Sequence, residues 1–176
     1  MTFLHLILAR HEPVRGVGEH LKSAVGAFLG MLLIGGLSLV TEMPLLVAPL
    51  GATAVLVFGY PGSALAQPIN VFGAYLVSTV VGVAATAAFP GTVWAVALAV
   101  GVTLFIIQTL RITHPPAGAV PLVAAATPND CSVLFITLLV SSIGMVALAV
   151  VFHALPPRRR YPAEHPGLPV QTQPDN

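Results

Sequence analysis

The sequence predicts an all-α membrane protein: six hydrophobic segments forming two inverted three-helix repeats, the middle helix of each repeat being short and broken by proline and glycine. Three observations lead there. The composition is too apolar for water, the charges are confined to the two ends, and a Pro-x-Gly-Ala element that begins at Pro49 recurs at Pro116. Of the 176 residues 56% are hydrophobic and 7% charged, with a mean hydropathy of +0.93. So few charges cannot cover the surface of a water-soluble domain of this length. The bilayer is therefore the expected solvent, and no cofactor is expected.

The first segment, residues 1–22, carries Arg10, Glu12, Arg15, Glu19 and Lys22 and is expected to lie on the cytoplasmic side, with Met1 to Arg10 as a short amphipathic surface helix. It lacks the basic start and small-residue cleavage site of a signal peptide. The membrane domain is expected over 23–155. A crossing needs about 20 mostly apolar residues, and Ser23 to Thr41, Val71 to Phe89, Thr92 to Leu110 and Cys131 to Leu155 qualify. Two shorter runs, Pro44 to Gly59 and Pro115 to Thr127, contain internal proline and glycine. Counting both gives six crossings and puts every Lys and Arg on one side, with Glu42 and Asp130 on the other. The positive-inside rule then places both termini in the cytoplasm of a multi-pass inner-membrane protein. The proline-rich polar tail, 156–176, is expected to be disordered.

The repeat is carried by Pro49-Leu50-Gly51-Ala52 and Pro116-Ala117-Gly118-Ala119, and the register continues from Tyr60-Pro61-Gly62 to Thr127-Pro128-Asn129. Repeat one covers about 23–89 and repeat two about 92–155. A unit of three crossings is odd, so the second copy enters the membrane from the opposite face, as in many secondary transporters.

Broken helices expose backbone groups that are costly in hydrocarbon unless protein, water or ligand satisfies them. A helix starting at Pro49 or Pro116 would offer the N–H groups of Gly51, Ala52 and Thr53, or of Gly118, Ala119 and Val120, at the positive end of its dipole, which suits an anion. The competing reading is that these small residues only permit tight helix crossing. His114, beside the second break, is either an anion contact, proton carrier or gate, or a histidine that positions the helix start, with Thr113 as a possible cap. Gln67 and Asn70 either coordinate a solute or bond the turn. Arg111 reads as a vestibule charge or as a snorkelling anchor. Gly26-x-x-x-Gly30 reads as a packing face whose partner can be another subunit.

Several classes are excluded by the residues. The basic residues are few and form no stripe for nucleic acid. Cys131 is the lone cysteine, so neither an intramolecular disulfide nor a cysteine metal site can form. No paired carboxylates, nucleophile–base set or nucleotide loop lies in the apolar region. An enzyme is not expected, nor a bound metal.

His114-Pro115-Pro116-Ala117-Gly118-Ala119, with Pro49-Leu50-Gly51-Ala52 and Leu65-Ala66-Gln67-Pro68-Ile69-Asn70, resembles the HPP family of integral membrane proteins over about Lys22 to His153. Members in chloroplasts and cyanobacteria are implicated in nitrite transport, and the resemblance implies nitrite as the small anion. The chain differs from the family pattern at Ala64, Ala117 and Pro121, and Pro121 is expected to end or kink the second half-helix early. The expectation is an anion transporter with substrate bound by Gly51, Ala52, Thr53, Gln67, Asn70, Thr113, His114, Gly118 and Ala119. An anion channel and a non-transporting assembly subunit are the alternatives. The small protomer is expected to form a homo-oligomer through glycine-rich faces such as Gly26 to Gly35.

Overall fold

In the computed structural model, residues 7–9, 12–127 and 131–164 are described. Met1 to Leu6, Arg10 and most of the expected N-terminal surface helix, Asp130, and the tail from 165 lie outside them. The regular elements among the described residues are helical. Helix α1 is Val17–Thr41; α2 is Ala48–Ala54 and continues into a π-helical turn, Val55–Gly59; a 3-10 turn, Ala64–Ala66, leads to α3, Pro68–Ala88. Helix α4 is Val93–Thr109, a 3-10 helix Pro115–Ala119 runs into α5, Val120–Ala126, and α6 is Cys131–Ala154.

The six expected segments are thus present as elements. Three of them, Val17–Thr41, Pro68–Ala88 and Ser132–Ala154, are long and apolar enough to cross a membrane. Helix α4 has 17 residues, about 25 Å at 1.5 Å per residue, and falls just below the others. The broken elements Ala48–Gly59 and Pro115–Ala126 span less than the hydrocarbon thickness of about 30 Å. Their first residues and their last residues are separated by the same stretch of chain that separates Pro49 from Pro116, so the offset read from the Pro-x-Gly-Ala motif governs whole elements.

Contacts between the halves are reciprocal. The first helix of each half packs on the last helix of the other, α1 on α6 and α4 on α3, while the two last helices pack on each other and α2 meets the 3-10 start of the second broken element. The core between them holds Ile34, Leu50, Phe58, Val71, Ile107 and Met145, all essentially inaccessible. Outward-facing side chains such as Phe28, Leu32, Val80, Leu98, Phe105 and Val151 are apolar and exposed, as lipid contact requires.

Four expectations need correction. Helix α1 begins at Val17, not near Ser23, and carries Lys22 inside it; the ammonium reaches out to the carbonyls of Leu155 and Pro157, each at 2.5 Å. The Gly26/Gly30 face is occupied within the chain, so it is not a subunit interface. A Cβ at Gly26 would lie 2.6 Å from Phe58 and 2.7 Å from Phe152, and one at Gly30 2.7 Å from the Met145 sulfur. Pro121 opens α5 instead of ending it, because it occupies the first turn, where a missing N–H costs nothing. Lastly, 156–164 is not a free tail. Tyr161 is buried and donates its hydroxyl to Ala66 O at 2.9 Å, and Ala163 N–H donates to Gln67 Oε1 at 2.9 Å.

Helix α4 ends in a Schellman motif: Arg111 is left-handed (φ 57°), its N–H donates to Gln108 O at 3.0 Å, and Ile112 N–H donates to Ile107 O at 2.9 Å. This turns the chain into the second broken segment. Helices α3 and α5 approach closely at Gly82, where an added Cβ would sit 2.9 Å from Pro121 Cα and 3.3 Å from Ala124 Cβ. Backbone cannot yield as a flexible side chain can. Gly82→Ala should therefore destabilise the protein by about 1–3 kcal/mol, whereas Gly36→Ala, with nothing within 4 Å, should not lower stability; thermal unfolding in detergent compares the two.

Candidate functional site

Two proline-broken segments bring their backbones to the centre of an apolar molecule, and the residues around them are those that answer the exposed polar groups. His114 immediately precedes the 3-10 helix and is fully buried. Its Nδ1 lies 2.7 Å from Leu65 O and its Nε2 2.8 Å from Thr53 Oγ1. A carbonyl only accepts, so Nδ1 carries the proton and, in the neutral ring, Nε2 accepts from the Thr53 hydroxyl. Tyr75 Oη, 2.5 Å from Thr53 Oγ1, then donates to Thr53. The Tyr75 ring also meets the imidazole edge-on, with centroids 5.4 Å apart. The result is a continuous chain from Tyr75 through Thr53 and His114 to the carbonyl of Leu65.

Thr53 has one proton and two acceptors. Pro49 O lies 3.2 Å from Oγ1, so the hydroxyl can turn from Nε2 to Pro49 O when the ring is doubly protonated and Nε2 becomes a donor. Every member stays hydrogen-bonded in either state, which is what a buried polar network needs to persist.

The remaining polar residues hold the second broken segment in place. Asn70 Nδ2 donates to Thr113 O at 3.0 Å, and Ser78 Oγ donates to Ala117 O. Gln67 Nε2 donates to Pro61 O at 2.9 Å and Ser63 O at 2.8 Å, which closes the turn before α3. Of the residues expected at the site, Thr53 and His114 are brought together. Gln67, Asn70 and Thr113 serve the turns, and the Thr113 side chain caps nothing. Gly51, Ala52, Gly118 and Ala119 are partly or fully exposed, and a Cβ at either glycine would meet nothing within 4 Å.

The helix starts do not offer the donors expected of them. Helix α2 begins at Ala48, so the N–H groups of Gly51, Ala52 and Thr53 fall within its internal ladder, and Leu50 N–H donates to Val47 O at 3.0 Å. The second element starts as a 3-10 helix, whose tighter i to i+3 pattern uses the N–H groups of Gly118 and Ala119. Ala117 N–H donates to His114 O and Val120 N–H to Ala117 O, and Pro115 and Pro116 have none. The N–H groups at these two starts are thus engaged within the chain, and the expected free backbone donors are not found there.

Tyr75 was missed from sequence. It is the one tyrosine of three within a long apolar helix, and that was the available signal. Tyr75 also borders a cavity of about 340 Å³ between α3 and α6, lined by Ile69, Leu76, Thr79, Phe135, Leu138 and Ser142 among others. No group of three or more His, Cys, Asp or Glu that could hold a metal occurs among the described residues.

Comparison with known proteins fits this architecture. Residues 12–162 match the family model described as HPP, transmembrane region. Two transmembrane proteins of Dictyostelium discoideum are similar. One is 29% identical over 165 residues, covering 87% of this chain and 58% of the relative; the other is 30% identical over 164 residues, covering 86% and 53%. The chain thus spans a little over half the length of these relatives. No solved structure matches.

Thr53→Val keeps the shape but leaves His114 Nε2 and Tyr75 Oη without partners, and should cost about 1–3 kcal/mol. Tyr75→Phe removes a single outer donor and should cost less. In the double variant the two losses should not add, because both break the same bond; a double-mutant cycle on detergent unfolding reads the difference.

Proposed function

The chain belongs to the HPP transmembrane family, and from that premise we propose that it is the membrane part of a small-solute transporter whose two broken segments form the moving core. The observation that carries this reading is the Tyr75–Thr53–His114 chain, which joins both broken segments in the interior. Ionisable and polar groups placed deep in an apolar bundle are costly and mark solute or proton paths more often than packing. The two halves act as inverted repeats, a reading supported by their reciprocal contacts, with both termini in the cytoplasm. No chemical reaction is catalysed.

The solute class is a small anion, and nitrite is the member that the family resemblance favours. With the helix-start N–H groups engaged internally, recognition falls to the Thr53 and Tyr75 hydroxyls and to His114 when protonated, and a cavity bordered by Tyr75 lies beside this chain. A histidine whose bonds can be rearranged without loss fits proton-coupled movement. At 18.2 kDa the protomer works as a homo-oligomer, through a face other than Gly26/Gly30. One observation favours a second reading, an assembly subunit without flux of its own: both His114 nitrogens are already satisfied within the protein.

Purified protein in liposomes should take up nitrite saturably relative to protein-free vesicles, in competition with nitrate, formate, chloride or bicarbonate. Tyr75→Phe should lower that flux by about two- to tenfold while the protein still folds, because it removes one hydrogen-bonding hydroxyl from the interior, worth about 0.5–1.5 kcal/mol. Absence of flux for every anion would leave the subunit reading standing.

A further inference from the structure

The C-terminal end of α6 holds a second cluster that the transport reading does not use. An open cavity of about 610 Å³ is lined by His153, Ala154, Arg158, Arg159 and Arg160. Its charge is only partly answered. Arg159 pairs with Glu19 at 3.2 Å and its Nη1 lies 3.5 Å from Ser23 Oγ, while Arg160 pairs with Glu164 through side chains that are both largely exposed. Exposed pairs of that kind contribute little and exchange readily. Arg158 has no hydrogen bond or ion pair among the described residues. Lys22 adds a fourth cation against the two carboxylates.

A helix C-terminus normally repels anions. Here the Lys22 ammonium lies 2.5 Å from both Leu155 O and Pro157 O, and so covers the negative end of α6. Beneath it, the His153 ring is buried and donates through Nε2 to Val57 O at 2.9 Å, leaving Nδ1 as a buried lone pair with no partner. A proton on a phosphate oxygen would give that nitrogen one. Guanidinium forks match phosphate oxygens in geometry as well as charge.

We propose that this cavity binds a phosphate group, supplied by the headgroup of an anionic lipid. Two features favour a lipid over free phosphate. The exposed apolar side chains of Val151 and Leu155 lie within two turns of the arginines and give acyl chains a path along α6, and basic pockets at the ends of membrane helices are the usual acceptors of such headgroups. The site is wired to the first broken segment, since His153 holds the carbonyl of Val57 in its π-turn. Lipid occupancy would therefore bear on the core.

Native mass spectrometry of the purified full-length chain, offered phosphatidic acid or phosphatidylcholine, tests this. Phosphatidic acid should be retained on the order of tenfold more strongly. That preference should fall severalfold in the Arg158→Gln/Arg160→Gln variant and persist in Arg111→Gln, which loses a like charge outside the cavity. If inorganic phosphate alone raises the thermal unfolding temperature as much as the lipid does, the phosphate site stands and its source is soluble. Equal retention of the two lipids by the unaltered protein, with no effect of inorganic phosphate, overturns the site. So does an equal loss in Arg111→Gln. Should the double variant not fold, the two lipids on the unaltered protein decide alone.

Discussion

Everything in this fold depends on satisfying the backbone of two broken segments in an apolar interior. An unpaired peptide group there costs several kcal/mol, more than a typical hydrogen bond returns in net stability. The protein meets that demand with side chains from the opposite half. Asn70 and Ser78 of α3 serve the carbonyls of Thr113 and Ala117, while Ser141 and His153 of α6 serve those of Leu45, at 3.1 Å, and Val57. Each half therefore completes the other. Neither three-helix unit has its polar groups satisfied alone, which explains why the last helix of each half lies against the broken segment of its partner.

The reciprocity stops at the centre. Moving each member of the buried chain by the offset that carries Pro49 onto Pro116 shows what the other half has instead: Val47 stands in the place of His114, Val120 in that of Thr53, and Ser142 in that of Tyr75. Packing alone would be served equally well by valine in both halves. Here the counterparts Val47 and Val120 keep the apolar solution, whereas His114 and Thr53 build a polar one with Tyr75 and the carbonyl of Leu65. Replacing such hydrogen-bonded partners by apolar groups of the same shape can be nearly neutral, so stability alone is a poor account of its presence.

How much of this could be read in the sequence follows from what local pattern can encode. The offset between Pro49 and Pro116 and the ends of the broken elements were legible, because proline and glycine act on the backbone where they stand, although the first element begins at Ala48 and not at Pro44. His114 was legible as a polar residue beside a break, whereas Thr53 was expected only for its backbone N–H and the role of its hydroxyl was not foreseen. The state of the helix-start donors was not legible: it turns on where each element begins, and with Val47 and His114 as the N-cap residues the N–H groups of Gly51, Gly118 and Ala119 already fall inside the internal pattern. The partner of Gly26 and Gly30 was illegible for a different reason. A small-residue face announces close packing but not against what, and here the large groups that fill it, Phe58, Phe152 and Met145, come from distant segments. The docking of Tyr161 onto Ala66 was hidden in a tail whose composition alone reads as disordered.

A core of this kind restricts how it can move. Sliding one broken segment past the other separates Thr53 from His114, and shifting the turn at Leu65 removes the acceptor of Nδ1. Lipid offers no replacement for either bond, so such a motion is steeply uphill unless water, a proton or a solute enters as the bonds part. Thr53 already has an alternative acceptor in Pro49 O at 3.2 Å, on its own helix, so its hydroxyl can let go of the histidine without being orphaned. His114 has no such reserve at Nε2. In the proposed transporter, separation of the two segments would leave His114 Nε2 in need of a partner, and a proton or an acidic solute that filled that need would be tied to the motion. This is the physical basis on which coupling, as opposed to simple leakage, would arise in so small a bundle.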